Sequence, residues 1–206
     1  NLHSFNYSVG NDPSSACFLI CLALLTPGSK LTLPKIICND TRIGFIKILK
    51  KMNGRIIIKK LRKDPDSGEL VGTIIARGSK LKPITVSEIV AKFVDELPAL
   101  FAVAALQNGV SKFFHCQELL HKETNRILEM KKILTQIGIK CKITKNSNMI
   151  IYGKDKINIK NKSINVNVPG DHRINLVAAI LGLASGIKTK IKHFDSTSTS
   201  FPGFIS

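Results

Sequence analysis

One cassette occurs three times along this chain, and it restricts the possible folds more than any other feature. Asp12-Pro13-Ser14-Ser15-Ala16 opens an apolar stretch that runs to Gly28 and is followed by Lys30-Leu31-Thr32-Leu33. Asp95-Glu96-Leu97-Pro98-Ala99 opens a second that runs to Gly109, followed by Ser111-Lys112-Phe113-Phe114. Asp171-His172-Arg173-Ile174 opens a third that runs to Gly186, followed by Lys188-Thr189-Lys190-Ile191. Each reads as an aspartate N-cap, an apolar helix, a glycine C-cap and a strand. The helices are apolar nearly all round, so they are expected to be buried rather than amphipathic.

Two of the cassettes continue in the same way. Residues 42–53 place Ile43, Ile46, Leu49 and Met52 on one helical face, closed by Gly54; residues 125–137 do so with Ile127, Met130, Ile133, Leu134 and Ile137, closed by Gly138. Strands are expected after each, at 55–58 and 71–76 and at 140–143 and 148–152, with Asp64-Pro65-Asp66-Ser67-Gly68 as a turn. In the third cassette the second helix is expected near Phe201-Pro202, so that unit is read as cut short. The expectation is an α/β (α+β) domain of three βαβαββ repeats, at about 12–80, 84–160 and 163–206, with buried helices inside and sheets outside. It puts the starts of the three buried helices on one side, where free N–H groups and the positive dipole end suit phosphate or carboxylate. Asp12, Asp95 and Asp171 are also, on a plainer reading, simple N-caps.

Composition excludes several other classes. Hydrophobic residues make up 44% of the 206, enough for a core, and charged residues 22%, so disorder is not expected. No apolar run reaches membrane-span length, and Asn1-Leu2-His3-Ser4 has no basic region of a signal peptide; it reads as the middle of a longer chain. The net charge of +17 comes from lysines scattered over strands and helix faces, with 6% aromatics and no Trp. A nucleic-acid partner is therefore not expected, while small anions would be attracted. Cys17, Cys21, Cys38, Cys116 and Cys141 are odd in number and form no C-x-x-C pair, so they read as small buried hydrophobes in a reducing cytosol.

The densest cluster of chemistry-bearing residues is Glu118-Leu119-Leu120-His121-Lys122-Glu123-Thr124-Asn125-Arg126. Lys122 and Arg126 are four apart and would share a helix face, with Glu123 beside them. Two cations around a carboxylate can hold an anion and move a proton. From spacing alone, the solvated start of an ordinary helix explains the segment as well.

Read together, the segments resemble those of one family. Asp12-Pro13-Ser14-Ser15-Ala16, Asn39-Asp40-Thr41-Arg42-Ile43-Gly44, Asp95-Glu96-Leu97-Pro98, Lys122-Glu123-Thr124-Asn125-Arg126, Asp171-His172-Arg173 and Ser198-Thr199-Ser200-Phe201-Pro202 stand in the order and spacing of 5-enolpyruvylshikimate-3-phosphate synthases. The resemblance runs from about Val9 to Phe204. It implies one incomplete domain of an enolpyruvyl transferase, over residues 1–206, whose partner N-terminal domain is absent from the chain. It implies transfer of the enolpyruvyl group of phosphoenolpyruvate to the 5-hydroxyl of shikimate 3-phosphate, with release of phosphate, in a cytoplasmic monomer that needs no metal or cofactor.

By the same resemblance Asp95 contacts the shikimate hydroxyls and accepts a proton, Lys122 lies on that substrate, and Glu123 exchanges a proton with the enolpyruvyl carbon. Arg126 and Arg173 hold phosphoenolpyruvate, and Asp171 orients the Arg173 region. Arginine suits that task because its planar fork matches carboxylate and phosphate oxygens. Three positions depart from the family pattern: Asn125 stands for an aspartate, Val9-Gly10-Asn11-Asp12 for V-P-G-D, and Thr199 for the lysine of another branch. A UDP-sugar enolpyruvyl transferase shares the fold but lacks the K-E-[ST]-D-R run, and a non-catalytic relative would not need Asp95, Lys122, Glu123, Arg126 and Arg173 together.

Overall fold

The computed structural model describes residues 7–87, 93–160 and 162–204, apart from the side chain of Thr199. Asn1 to Ser4, read above for a signal peptide, lie outside the described residues.

Three apolar helices form the centre: α1 (Pro13–Leu25), α3 (Leu97–Ala105) and α5 (His172–Ser185). They pack against one another, and each also packs on strands of its own group. All nine residues of α3 are buried, as expected of a sequence with no polar face. The first group continues with β1 (Lys30–Ile37), α2 (Gly44–Lys51), β2 (Arg55–Lys63) and β3 (Leu70–Arg77). The second runs β4 (Thr85–Val86), α3, β5 (Gly109–Phe113), α4 (Arg126–Gln136), β6 (Lys140–Ile143) and β7 (Met149–Gly153). The third shows β8 (Ser163–Asn167), α5 and β9 (Lys188–Lys192).

The sheets share one wiring. Strand order is β1-β3-β2 in the first and β4-β5-β7-β6 in the second, the last three strands of the second being antiparallel like those of the first. β4 runs parallel to β5, and β8 to β9, on either side of a buried helix. In the first group a single parallel bridge, Asn11 to Ile36, takes that place. The amphipathic helices α2 and α4 bury Phe45, Ile46, Ile48 and Leu49, and Ile127, Met130, Ile133 and Leu134.

Several expected boundaries shift, for local reasons. Among the three buried helices the glycine stop holds only for α5, where Gly186 takes φ 70°, a left-handed conformation open to a residue without Cβ; Gly138 closes α4 in the same way at φ 79°. α1 stops earlier, at Leu25, because Pro27 forces the preceding Thr26 into extended backbone (ψ 112°). α3 stops at Ala105 in a tightened last turn, and Gly109 is instead the first residue of β5. α2 spans fewer residues than 42–53, since Arg42 and Ile43 belong to the turn before it and Asn53 takes the left-handed conformation after it (φ 71°). β1 and β2 are longer than expected and each carries a bulge, with Lys35 at φ 54° and Lys60 at φ 52°. The helix expected from Phe201 does not begin by Phe204, where residues 202–203 form a turn.

Cys17, Cys21, Cys38 and Cys116 are buried and Cys141 half-buried, all as free thiols. Burial pushes Cys116 up to about 11 and Cys141 to about 12, which leaves both protonated and inert. Among the described residues no helix is long and apolar enough to cross a membrane.

Candidate functional site

The beginnings of α1, α3 and α5 meet on one side of the molecule. Two adjoining clefts mark the place: one of about 210 Å³ lined by Ser14, Thr41, Arg42, Asp95, Glu96 and Arg173 among others, and one of about 260 Å³ that shares Ser14 and Arg173 and adds Asp12, Ser15 and His172.

The three aspartates are not equivalent there. Asp12 and Asp171 cap their helices, accepting from the backbone N–H of Ser15 and Ile174. Asp95 does not, contrary to the cassette reading. It sits in a 3-10 turn, Val94–Glu96, that precedes α3, and the residue in the cap position is Glu96, whose side chain makes no capping bond. Leu97 and Pro98 start the helix one residue later, relative to the aspartate, than in D-P-S-S, so the Asp95 carboxylate is free to point across the site.

Arg126 is what it meets. The Arg126 side chain is only 1% exposed, which overturns the picture of a solvated helix start. Its Nε donates to Asp171 Oδ2 at 3.1 Å, its Nη1 to Asp95 Oδ1 at 3.0 Å, and its Nη2 to Glu123. Lys122 does not share a helix face with it. Lys122 closes a separate 3-10 turn, Gln117–His121, in extended backbone, and α4 begins only at Arg126. Lys122 Nζ reaches Glu118 Oε1 at 2.7 Å and Asp95 Oδ1 at 3.5 Å. From α5, Arg173 Nη2 lies 3.7 Å from Asp95 Oδ2, and Nη1 donates to the Asp95 carbonyl at 3.3 Å. One carboxylate is thus shared by three cations, drawn from three elements.

The charge states follow from this packing. Half-burial alone would raise Asp95, but Arg173, Lys122 and Arg126 together outweigh it and hold the carboxyl below the ordinary range, ionised. The Glu118 hydrogen bond raises Lys122 against its own desolvation, with Asp95 adding to the effect, so it stays protonated. Burial lowers His172, and Arg173 and Arg126 lower it further, which favours a neutral imidazole.

Four contributors escaped the sequence reading. Thr124 Oγ1 donates to Asp171 Oδ2 at 2.7 Å, so that Asp171 holds both the segment before α4 and Arg126. Glu118 anchors Lys122. Glu96 is buried beside Arg173, and Ser14 hydrogen-bonds to it. Only the fold shows that Ser14, Glu96 and Thr124 meet partners from distant segments, whereas the Glu118–Lys122 contact spans four residues within one cluster. Asn125, the departure from the family's aspartate, caps α4 by accepting from Leu128 N at 3.2 Å, a task either side chain performs.

The family model of EPSP synthase (3-phosphoshikimate 1-carboxyvinyltransferase) matches residues 1–206. The chain belongs to the EPSP synthase family. Relatives agree: the 3-phosphoshikimate 1-carboxyvinyltransferase of Caldicellulosiruptor bescii is 36% identical over 204 residues, covering 98% of this chain and 46% of that protein. That of Staphylococcus aureus strain COL is 37% identical over 203 residues, covering 97% and 45%. Among solved structures, the EPSP synthase of Acinetobacter baumannii superposes with a TM-score of 0.85 at 34% identity, over 95% of this chain and 44% of that one. The enolpyruvyl transferase NikO of Streptomyces tendae, at 14% identity and a TM-score of 0.66 over 93% and 41%, shares the fold. The chain spans about half the length of the EPSP synthase relatives it matches.

Proposed function

We propose that the chain is one domain of an enolpyruvyl transferase that moves the enolpyruvyl group of phosphoenolpyruvate to the 5-hydroxyl of shikimate 3-phosphate and releases phosphate. In this reading the domain consists of three βαβαββ repeats with the buried helices inside and the sheets outside. The third repeat is represented here by β8, α5 and β9. The other half of the active site comes from the remainder of a protein of the relatives' length.

The observation that carries the reading is the Arg126 guanidinium, which holds Asp95 on one terminal nitrogen and Glu123 on the other. The reaction needs two proton transfers close together: one away from the attacking hydroxyl, one onto the methylene carbon of phosphoenolpyruvate. Asp95 is the acceptor for the first. It is ionised, and Lys122 beside it lies toward the shikimate substrate. Glu123 is the acid for the second; half its side chain is open to an incoming ligand. Protonating that carbon leaves a cationic centre that the hydroxyl oxygen attacks, and the resulting tetrahedral adduct loses phosphate as Glu123 takes the proton back.

Both substrates are anions, so cations must hold them. Arg173 and Arg126 take phosphoenolpyruvate. Each terminal nitrogen of Arg126 already has a carboxylate, so it engages the ligand as Glu123 turns to its carbon. Asp171 keeps Arg126 in place during that exchange, since its hold is on Nε.

Phosphate release by a full-length enzyme carrying this segment tests the reading. Glu123→Gln and Asp95→Ala are each expected to lower turnover by about 10²–10⁴, the usual loss for a positioned acid or base. Near-normal turnover in either variant would sink the role given to that residue.

A further inference from the structure

Glu96 is the buried acid at the starts of the central helices that the reaction above does not use. Its side chain is 5% exposed, and keeping a carboxylate there is costly unless other groups compensate. Burial raises its affinity for a proton, opposed by a hydrogen bond from Ser14 and by the charge of Arg173. It occupies the cap position of α3 yet makes no capping bond. Its side chain is directed across the helix starts, to α1 through Ser14 and to α5 through Arg173, whose Nη1 lies 3.7 Å from Oε1.

Arg173 itself has few protein partners among the described residues. Besides Glu96 it has the Asp95 carbonyl, 3.3 Å from Nη1, and the Asp95 carboxylate, 3.7 Å from Nη2. The Asp95 carboxylate is held more closely by Arg126 and Lys122, at 3.0 and 3.5 Å. When a substrate hydroxyl engages Asp95, its long contact to Arg173 is the one most easily given up. Glu96 and the Asp95 carbonyl then keep Nη1, and Nη2 is left facing the 210 Å³ cleft that Ser14, Glu96 and Arg173 all line.

We propose that Glu96, braced by Ser14, is a positioning residue that fixes the Arg173 guanidinium with one edge against the turn before α3 and the other edge toward the anionic substrate. The proposal rests on the enolpyruvyl-transfer reading, because the anion it serves is phosphoenolpyruvate. Glu96 touches no substrate; it acts through Arg173. It works as a permanent counterion, which Asp95 cannot be while it handles the hydroxyl.

The test is a double-mutant cycle in the full-length enzyme, with Glu96→Ala and Arg173→Ala made singly and together. Glu96→Ala is expected to raise KM for phosphoenolpyruvate by about tenfold, as misplacing one charged hydrogen-bond donor does, and to leave KM for shikimate 3-phosphate within about twofold. Added to Arg173→Ala, it should change KM for phosphoenolpyruvate by less than about twofold, because the residue it positions is gone. A merely structural role predicts the reverse: a lower melting temperature, both KM values moved alike, and additive effects in the cycle. That result overturns the proposal.

Should Glu96→Ala fail to fold, Ser14→Ala removes only the hydroxyl that braces it. It is expected to raise the same KM by about two- to threefold, and no change would overturn the proposal. The two readings fail separately. If the wild type makes no phosphate from the two substrates, the enolpyruvyl-transfer reading falls, while calorimetric titration of phosphoenolpyruvate still reports the Glu96–Arg173 coupling. If Arg173→Ala leaves phosphoenolpyruvate binding unchanged, or none is seen in the wild type, the positioning proposal falls as well.

Discussion

Arg42 and Arg126 hold corresponding places in the first two groups of elements. Each stands where the chain enters an amphipathic helix, and each reaches an aspartate at the head of a buried one. Arg42 meets Asp12 at 2.8 Å with both side chains about half exposed, 49% and 46%. Arg126 is 1% exposed and is surrounded by Asp95, Glu123 and Asp171. The same pairing is a solvated surface contact in one group and the centre of the candidate site in the other. The difference arises from what lies above. In the second group the turn Val94–Glu96 and the loop before α4 fold over the guanidinium, and α5 adds a carboxylate from the third group. Burial removes water from Arg126, and three carboxylates from separate segments replace it.

The largest expected effect is on stability. Arg126→Met leaves Asp171, fully buried, without its cation, and breaking such a pair costs about 3–5 kcal/mol. Arg42→Met removes a contact worth at most about 1 kcal/mol. Urea unfolding of the two variants checks the contrast. If both unfold at the wild-type denaturant concentration, burial does not separate the two arginines and the comparison breaks.

Acidification sharpens the comparison within the second group, where neighbours Asp95 and Glu96 carry opposite signs. Desolvation works to raise Asp95, but its three cations win and depress it, so its stabilisation is present above the ordinary value of 3.8 and is lost as pH falls through the lower folded value. Burial raises Glu96 above its ordinary 4.5, so the strain of keeping it ionised is present at neutral pH and is relieved as pH falls toward 4.5. Asp95→Asn should therefore lose stability more slowly than wild type below pH 3.8, and Glu96→Gln should lack the relief that wild type gains on approaching 4.5. Melting temperatures across that range read both slopes; parallel curves for all three proteins would sink the assignment of opposite signs. The effect is modest because the Asp95 side chain is 38% exposed and partly screened by water.

The order of elements was legible in the sequence because it is carried by local signals: an acidic start, a run with no polar face, and an amphipathic helix of period 3.6. Those signals gave the order of helices and strands, while it was the resemblance to the enolpyruvyl transferase family, not periodicity or spacing, that put Asp95, Lys122, Glu123, Arg126 and Arg173 in one candidate site. The local signals misplaced what depends on longer range. The cap at Asp95 looked like the caps at Asp12 and Asp171, yet Leu97-Pro98 starts α3 late and sends the carboxylate elsewhere. The bulges at Lys35 and Lys60 leave no mark in an alternating pattern. Spacing gave Lys122 and Arg126 a shared helix face, whereas a break in the helix separates them and the acids that bury Arg126 come from 31 and 45 residues away.

The smallest effect tests the exposed side of the comparison most closely, because Asp12 does two jobs. Oδ2 caps α1 through the Ser15 N–H at 2.8 Å, and Oδ1 accepts from Arg42. Asparagine caps about as well as aspartate, so Asp12→Asn removes the ion pair and keeps the cap, at an expected cost below about 1 kcal/mol. Asp12→Ala removes both and should cost about 1 kcal/mol more. Salt separates the two terms. An exposed pair is screened within about 3 Å at 1 M ionic strength, so the Asp12→Asn deficit should vanish there while the additional Asp12→Ala deficit persists. The Arg126→Met deficit comes from the fully buried Asp171, which salt does not reach, and should persist as well. If Asp12→Asn instead costs as much as Arg126→Met and resists salt, then a half-exposed pair is as strong as a buried one in this fold. Exposure would then not be what distinguishes the first group of elements from the second, and the difference would have to lie in the number of carboxylates alone.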